Sequence, residues 1–253
     1  DFPGFDDGIY YGEYPSSLEE HPVSIRRIAP GKEDSSVFTF AIGKIGHIHN
    51  LVPDPFRKVV WVLTGDFGNS AGLWMARNNF HEVEPVLTGN QKYRACWAEA
   101  VVGGLLYATD SPLEKNSVRL LECVNGNWRS RELAPLAGPV IYGCRMGNEY
   151  VISTSVEGNG NTPGFVRRCC TRTLGRSLED SFIHFYRGTP EQGFREFHRT
   201  EKDLLPFVLF QFGSAIFPGG KNPGQWLCWR QIATKKNDMK MVMAQWPVSS
   251  QEG

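Results

Sequence analysis

Short runs of apolar, β-forming residues alternate with turn residues along the whole chain. Residues 59–63, 104–108 and 150–153 are three such runs, and Gly, Pro, Asn or Asp stands near their ends. Short strands separated by turns of this kind are typical of sandwiches, barrels and propellers. The one segment with helical promise, residues 16–21, is too short to stand as a helix. The pattern therefore predicts an all-β protein.

A repeat in the apolar runs distinguishes between these architectures. Asp66, Asp110 and Ser155 follow matching apolar runs at spacings of 44 and 45 residues. A four-stranded propeller blade takes about 40–50 residues. The repeat predicts a β-propeller of about five four-stranded blades in a single domain, residues 1–253, with a β-sandwich as the alternative. Blades are expected at residues 46–90, 91–137, 138–204 (with an insertion at 158–176) and 205–248, and residues 1–45, closed by the C-terminal strand, would supply the remaining blade.

Charge and motif content exclude several classes of function. Lys and Arg number 27, as do Asp and Glu, so no net positive charge indicates a nucleic-acid partner. No apolar run reaches the roughly 18 residues of a membrane span. P-loop, GxGxxG, GxSxG and HExxH motifs are missing, which argues against nucleotide-dependent, α/β-hydrolase and zincin chemistry. The chain opens without Met and is expected to be a mature or trimmed product, in a compartment left undecided, with a secreted or cell-surface location one option.

The six cysteines follow no metal-binding pattern. They lack CxxC and finger-like spacing, so structural zinc is not expected. We expect Cys96, Cys144 and Cys228 to be buried in strands as thiols that act as small apolar side chains, with one disulfide as the open alternative. No cofactor and no metal is predicted.

The candidate site follows from the propeller prediction. In a propeller, the innermost strand of each blade lines the central axis, so polar residues at matching positions converge. Residues 46–50, 91–97, 138–145 and 209–217 are interpreted as inner strands or their ends. These segments and the strands after them contribute His47, His49, Tyr93, Arg94, Tyr142, Arg145, Gln211, Glu13, Asp66 and Asp110.

His47 and His49 are the sharpest feature of the chain. In a strand, residues two apart point to one face, so both imidazoles would face the same way. They could bind a metal, act as a base or hold a ligand hydroxyl. The alternative is a pair of structural histidines bonded to backbone. A lone His-x-His is a weak metal signature without a third ligand, for which Asp66, Glu13 and His184 are candidates.

Arginines and carboxylates occur at comparable positions in the repeats. Arg94 and Arg145 fall beside or within apolar runs, and the guanidinium fork suits a carboxylate; alternatively each pairs with an Asp or a backbone carbonyl of a neighbouring blade. Glu13, Asp66 and Asp110 follow strand ends. Two carboxylates across a pocket could hydrolyse a glycoside, whereas the alternative is a turn-capping role.

Seven motifs in order carry a family resemblance: GEY at 12–14, HIH at 47–49, TGD at 64–66, YRA at 93–95, TDSP at 109–112, STSVE at 153–157 and KDLLPF at 202–207. Taken together, the chain resembles bacterial sialidase-like or BNR-repeat-like β-propeller proteins. The resemblance implies an axial carbohydrate site. The chain departs from the family in its Asp-box, since residues 76–80 stand in the expected hairpin without the S-x-D-x-G-x-T-W pattern.

The first functional hypothesis is a glycoside hydrolase acting on an acidic glycan or polysaccharide. Glu13 and Asp66 would be the acid and the base or nucleophile, with the two histidines positioning the sugar. Arg94 and Arg145 would hold its carboxylate. Further substrate contacts are expected from Tyr93, Tyr142, Asp110 and Gln211.

Two alternatives remain open. A polysaccharide lyase would use His49 or Tyr142 as the base that removes the proton next to a uronate carboxylate. A non-catalytic glycan-binding or interaction module would need only stacking and hydrogen bonds.

Overall fold

The computed structural model describes residues 2–15, 21–65, 68–159, 164, 170–219 and 225–246. Of the described residues, 58% have β-structure, and the other named elements are two 3-10 helices, Gly68–Ser70 and Gln91–Tyr93. The all-β prediction is confirmed. Among the described residues, no helix is long and apolar enough to cross a membrane.

The strands form five antiparallel sheets, each built from consecutive strands. The first sheet contains β1 (Ile9–Gly12), β2 (Val23–Ile28) and β3 (Ser35–Phe40). The second contains β4 (His47–Asp54), β5 (Val59–Gly65), β6 (Gly72–Arg77) and β7 (Glu82–Thr88). The third contains β8 (Ala95–Val101), β9 (Gly104–Thr109), β10 (Asn116–Val124) and β11 (Asn127–Leu136). The fourth contains β12 (Val140–Met146), β13 (Glu149–Thr154), β14 (Phe182–Thr189) and β15 (Gly193–Glu201), and the fifth β16 (Ser214–Ile216), β17 (Trp226–Ile232) and β18 (Met241–Gln245).

The predicted repeat boundaries match the sheets, but the strand count differs. Each of the four intervals from residue 46 onward contains one sheet. The first and fifth sheets have three strands in the described residues, so the expectation of four strands in every unit is wrong there. In the part of the chain that the structure describes, the last strand, β18, pairs with β17 rather than with the first sheet. Within residues 209–217, interpreted as an inner strand or its end, the strand begins only at Ser214, and no sheet closes on itself.

One register recurs in the second, third and fourth sheets. Near the end of each second strand lies a buried threonine, at 64, 109 and 154, so the spacing is 45 residues each time. Opposite each threonine, the first strand has a β-bulge directly after the paired residue. The extra residue is His49 in the second sheet, Cys96 in the third and Ile141 in the fourth. A bulge locally re-aims side chains, so the bulges place these three residues at one structural position.

This register corrects the sequence alignment of the repeats by one residue. Gly65, directly after the first threonine, pairs with His47. The residue at the same place in the third sheet is Asp110, whose N–H donates to the carbonyl of Arg94 at 3.0 Å. Asp110 therefore matches Gly65, not Asp66 as the sequence spacing suggested.

Burial is greatest in the second strand of each four-stranded sheet. Every residue of β5 and β9 is buried, as is all of β13 except its first residue. In a sheet with one solvated face, burial alternates along the strand. These second strands are therefore covered on both faces. The fourth strands β7 and β15 are largely exposed.

The chain divides into two compact units, Asp1–Ser111 with Arg119–Glu132 and Pro112–Val118 with Leu133–Gly253. The first has two apolar clusters, one around Trp61 and Tyr107 and one around Phe80. The second has one cluster around Phe185 and Trp229. The single-domain assignment stays a prediction.

Five of the cysteines lie in the described residues, all as thiols rather than disulfides. Cys96, Cys144 and Cys228 lie in strands as expected, but they are half-buried, so the prediction of full burial is wrong. Cys169 lies outside the described residues.

Candidate functional site

Three aromatic rings stack at the start of β4. The ring of Tyr14 lies over the imidazole of His47, with centroids 3.9 Å apart. The two imidazoles of His47 and His49 lie side by side at 4.6 Å. His47 is 5% exposed and Tyr14 is 66% exposed. The stack therefore places an accessible phenol ring over two imidazoles.

Gly65 makes room for the imidazoles. A Cβ at this position would overlap the ring of His49 and would lie 3.2 Å from Nε2 of His47. Both Nε2 atoms therefore face the same point beside the backbone of Gly65. This need for space explains a glycine at the end of an otherwise apolar strand.

The bulge in β4 connects to the first strand of the next sheet. Nδ1 of His49 lies 3.0 Å from the carbonyl oxygen of Ala95, and the amide of Asn50 donates to the carbonyl of Cys96 at 3.0 Å. A hydrogen bond at one ring nitrogen fixes the orientation of the ring and the tautomer. When Nδ1–H donates to Ala95, Nε2 of His49 carries the lone pair.

Arg94, Cys96 and Asp110 form a polar cluster at the start of β8. Arg94 precedes the strand, and Asp110 follows β9 on the neighbouring chain segment. The guanidinium lies 3.4 Å from the Asp110 carboxylate, which also accepts the Cys96 thiol at 3.2 Å. Asp110 is 6% exposed. Arg94 thus pairs with an Asp, as one interpretation of the sequence expected, though within its own sheet.

The two clusters meet at one point. One ligand atom each from His49, Cys96 and Asp110 lie within 4.8 Å of one another. The sequence pattern indicates His49 and Asp110 as site residues, whereas Cys96 there resembles a core thiol and Tyr14 is not among the candidates. The signal for Cys96 was its position: it occupies in the third sheet the bulge that His49 occupies in the second.

Of the two carboxylates assigned to hydrolysis, the structure describes Glu13. Glu13 accepts the backbone N–H of Ser24 at 2.7 Å and contacts Arg26 at 3.4 Å. Its backbone carbonyl accepts the N–H of Ile48 at 3.1 Å. These contacts favour a structural role for Glu13. Asp66 lies outside the described residues.

The structure describes the contacts or exposure of four further candidates for substrate binding. Tyr93 packs against the apolar cluster of the first unit, and Tyr142 packs against that of the second. Arg145 is exposed and donates to the carbonyl of Gly147 in its own hairpin at 3.0 Å. Gln211 is exposed. Their roles in substrate binding stay predictions.

His184 was a candidate for the third metal ligand. In the structure its imidazole contacts two carboxylates of the second unit. Its Nε2 lies 2.9 Å from Asp180 and its Nδ1 lies 3.1 Å from Glu196. The imidazole is buried between them. The imidazole in β14 thus lies between a carboxylate just before that strand and one in β15.

Comparison with known proteins adds no assignment. No family model matches the chain, and no curated protein matches it with significant similarity. The likeness to sialidase-like propellers therefore stays a prediction, and the argument for function depends on the site itself.

Proposed function

We propose that the five sheets are the blades of a β-propeller. Three features support this: each sheet is a simple meander of consecutive strands, the register repeats every 45 residues, and second strands are buried on both faces. A blade is covered by a neighbour on either side, whereas sandwich sheets keep one face in solvent. The alternative is a sandwich, which separate and unclosed sheets also satisfy. A crystal structure with radial sheets would support the proposal, and two face-packed sheets would overturn it.

We also propose that the protein binds an acidic polysaccharide and cleaves it by β-elimination. The observation that carries the proposal is the stack of Tyr14, His47 and His49 beside the Arg94–Asp110 pair. It combines titratable imidazoles, an accessible aromatic face and a fixed cation in one unit of the chain.

β-Elimination requires groups of these kinds. A base removes the proton next to the uronate carboxylate, the electron pair forms a C=C bond, and the C–O bond to the leaving sugar breaks. The leaving oxygen then takes a proton from an acid. Imidazole titrates near neutral pH and serves as base or acid. The exposed ring of Tyr14 offers a face on which a sugar can stack.

Arg94 provides the charge that this reaction needs. Removing the proton places negative charge on the uronate carboxylate, and an arginine fork stabilises that charge through short, charge-assisted hydrogen bonds. The contact with Asp110 holds the guanidinium in one orientation. A pre-oriented cation costs less reorganisation when the charge develops.

Hydrolysis is less well supported than elimination. A glycosidase uses two carboxylates across the scissile bond. Glu13 is held by Ser24 and Arg26, and Asp110 is buried against Arg94 and Cys96. Both carboxylates therefore have structural contacts that an acid or nucleophile would have to break. Asp66, the partner that the hydrolysis hypothesis gives to Glu13, lies outside the described residues.

One experiment separates the three functional hypotheses. The protein is incubated with a panel of uronate-containing polysaccharides, with a neutral polysaccharide as control, and two products are followed. A lyase yields new reducing ends together with unsaturated, ultraviolet-absorbing ends, whereas a hydrolase yields reducing ends alone. Retention on an acidic polysaccharide without either product would identify a binding module, and neither binding nor products would overturn the proposal.

A matched pair of variants tests the site. His47→Gln should lower turnover by at least about 100-fold, since acid–base groups contribute about 10²–10⁴. His81→Gln alters an exposed histidine in the turn after β6 of the same unit and should leave turnover unchanged. Equal activity in the two variants would remove His47 from the mechanism.

A further inference from the structure

The convergence of His49, Cys96 and Asp110 has the composition of a metal site. An imidazole, a thiol and a carboxylate place one ligand atom each within 4.8 Å of the others. Zinc takes this set of donors, and catalytic zinc sites use three protein ligands and leave a fourth position open. The three side chains come from two neighbouring sheets, so folding alone brings them together.

We propose that His49, Cys96 and Asp110 bind a divalent transition-metal ion, preferably Zn²⁺. The proposal stands apart from the reaction proposed above, because the ion could serve binding, catalysis or stability. The sequence pattern did not assign this set of ligands. For the His-x-His pair it indicated Asp66, Glu13 and His184 as candidates for a third ligand.

The register of the sheets supports the proposal. His49 and Cys96 are the extra residues of equivalent β-bulges, and such a residue is re-aimed out of the regular ladder. In the fourth sheet the same bulge holds Ile141, and Ser155 takes the place of Asp110. Among the three sheets that share this register, ligand-type residues stand at the bulge in the second and third, whose side chains meet.

The hydrogen bonds around the cluster suit a bound ion. Nδ1 of His49 is positioned by the carbonyl of Ala95 at 3.0 Å, the outer contact that orients a metal-binding imidazole. The Cys96 thiol points at Asp110 at 3.2 Å. A divalent ion would take the place of the thiol proton between sulfur and carboxylate, and that proton would be released to solvent.

The charges of the two anionic ligands match the charge of the ion. A thiolate and a carboxylate neutralise the two positive charges of the ion, and Arg94, 3.4 Å from Asp110, then adds one positive charge. The loaded site would be cationic as a whole. Such a site attracts a carboxylate group, which agrees with the acidic polysaccharide proposed above but does not require it.

Titration of the chelator-treated, reduced full chain with Co²⁺ tests the proposal. Co²⁺ replaces Zn²⁺ in such sites and shows a thiolate-to-metal absorption band. We expect one ion per chain, the band, and release of about one proton per ion at neutral pH. Ion binding without the band or without proton release would overturn the proposal, as would the absence of stoichiometric binding.

Two cysteine variants identify the sulfur. Cys96→Ser should lose the band and bind Co²⁺ at least about 10-fold more weakly. Cys123→Ser alters an exposed thiol in β10 and should keep both band and affinity. A band that persists in Cys96→Ser would overturn the assignment, and proton release from the unmodified chain remains decisive if that variant fails to fold. The titration contains no polysaccharide, so its failure and the failure of β-elimination are separate results.

Discussion

The imidazole of His49 occupies the space that a side chain at Gly65 would need. In the next sheet the position of Gly65 is taken by Asp110, whose carboxylate meets the bulge residue Cys96. The same register thus presents a ring over a glycine in one sheet and a thiol beside a carboxylate in the other. The candidate site is therefore formed by two versions of one repeated β-bulge, in the second and third sheets.

Gly65→Ala should displace the imidazole of His49. The backbone of Gly65 is not in the left-handed region, so the cost is steric, and overpacking of this kind costs about 1–3 kcal/mol of unfolding free energy. Co²⁺ affinity and turnover should fall with it. Gly103→Ala is the matched control, because a Cβ there meets nothing within 4 Å; equal unfolding midpoints in urea for the two variants would contradict the prediction.

Asp54→Asn should destabilise the first unit strongly. The carboxylate of Asp54 is fully buried and accepts Arg57 and the indole N–H of Trp61, both at 2.9 Å. Removing one partner of a buried ion pair costs about 3–5 kcal/mol. Because Arg57 is partly exposed, we expect a loss of about 3 kcal/mol.

Glu84→Gln is the control for this prediction. Glu84 pairs with Arg77 on an exposed edge, where side chains are 39% and 56% accessible. An exposed pair contributes about 0–1 kcal/mol. Chemical denaturation of both variants compares the two losses, and similar values would show that the Asp54 network adds no special stability.

The raised pKa of Tyr107 predicts that the protein loses stability in alkaline solution. Burial raises the pKa of its phenol to about 12 from 10.0. Above pH 10 the unfolded chain loses this proton while the folded chain keeps it, so the free energy of unfolding falls as pH rises from about 10 to about 12. The slope from this one group approaches about 1.4 kcal/mol per pH unit.

Tyr107→Phe should remove that slope. At neutral pH the variant should be less stable by about 1 kcal/mol, since the hydroxyl contacts the carbonyl of Lys92 at 2.9 Å and Ser130 at 2.6 Å. The difference from the unaltered chain should shrink or reverse above pH 10. Parallel curves for Tyr107→Phe and the unaltered chain would refute the assignment.

Much of the fold follows from the sequence because its signals are local. Alternating apolar runs and turn residues predict strands. The repeat of about 45 residues predicts the sheet boundaries, because all strands of a sheet are consecutive in the chain. The exact register was harder to predict. A bulge adds one residue to one strand, and Asp66 and Asp110 therefore appeared equivalent although Asp110 matches Gly65.

The candidate site was only partly predictable for the same reason. The spacing of His47 and His49 indicates that they belong to a site, and the charge of Arg94 beside an apolar run indicates the same for that residue. Cys96 resembles any core thiol until the bulge places it beside Asp110, and Tyr14 lies outside the repeat. Contacts between sheets decide these roles, and a single sequence does not encode them as a local pattern.

Glu13→Gln separates the two enzymatic hypotheses. Glutamine keeps an oxygen for the N–H of Ser24 and loses only the contact with Arg26, whose side chain is 29% exposed and also pairs with Asp34. The loss of stability should be under about 1 kcal/mol, and turnover of an acidic polysaccharide should stay within about twofold, because elimination does not use this carboxylate. Glu13→Ala should cost more stability, about 1–3 kcal/mol, since the Ser24 N–H then lacks its acceptor, and should still turn over. Thermal unfolding and initial rates measured on both variants separate these effects. A drop in turnover of about 100-fold or more in Glu13→Gln, with the fold intact, would make Glu13 a general acid and would restore hydrolysis as the better hypothesis.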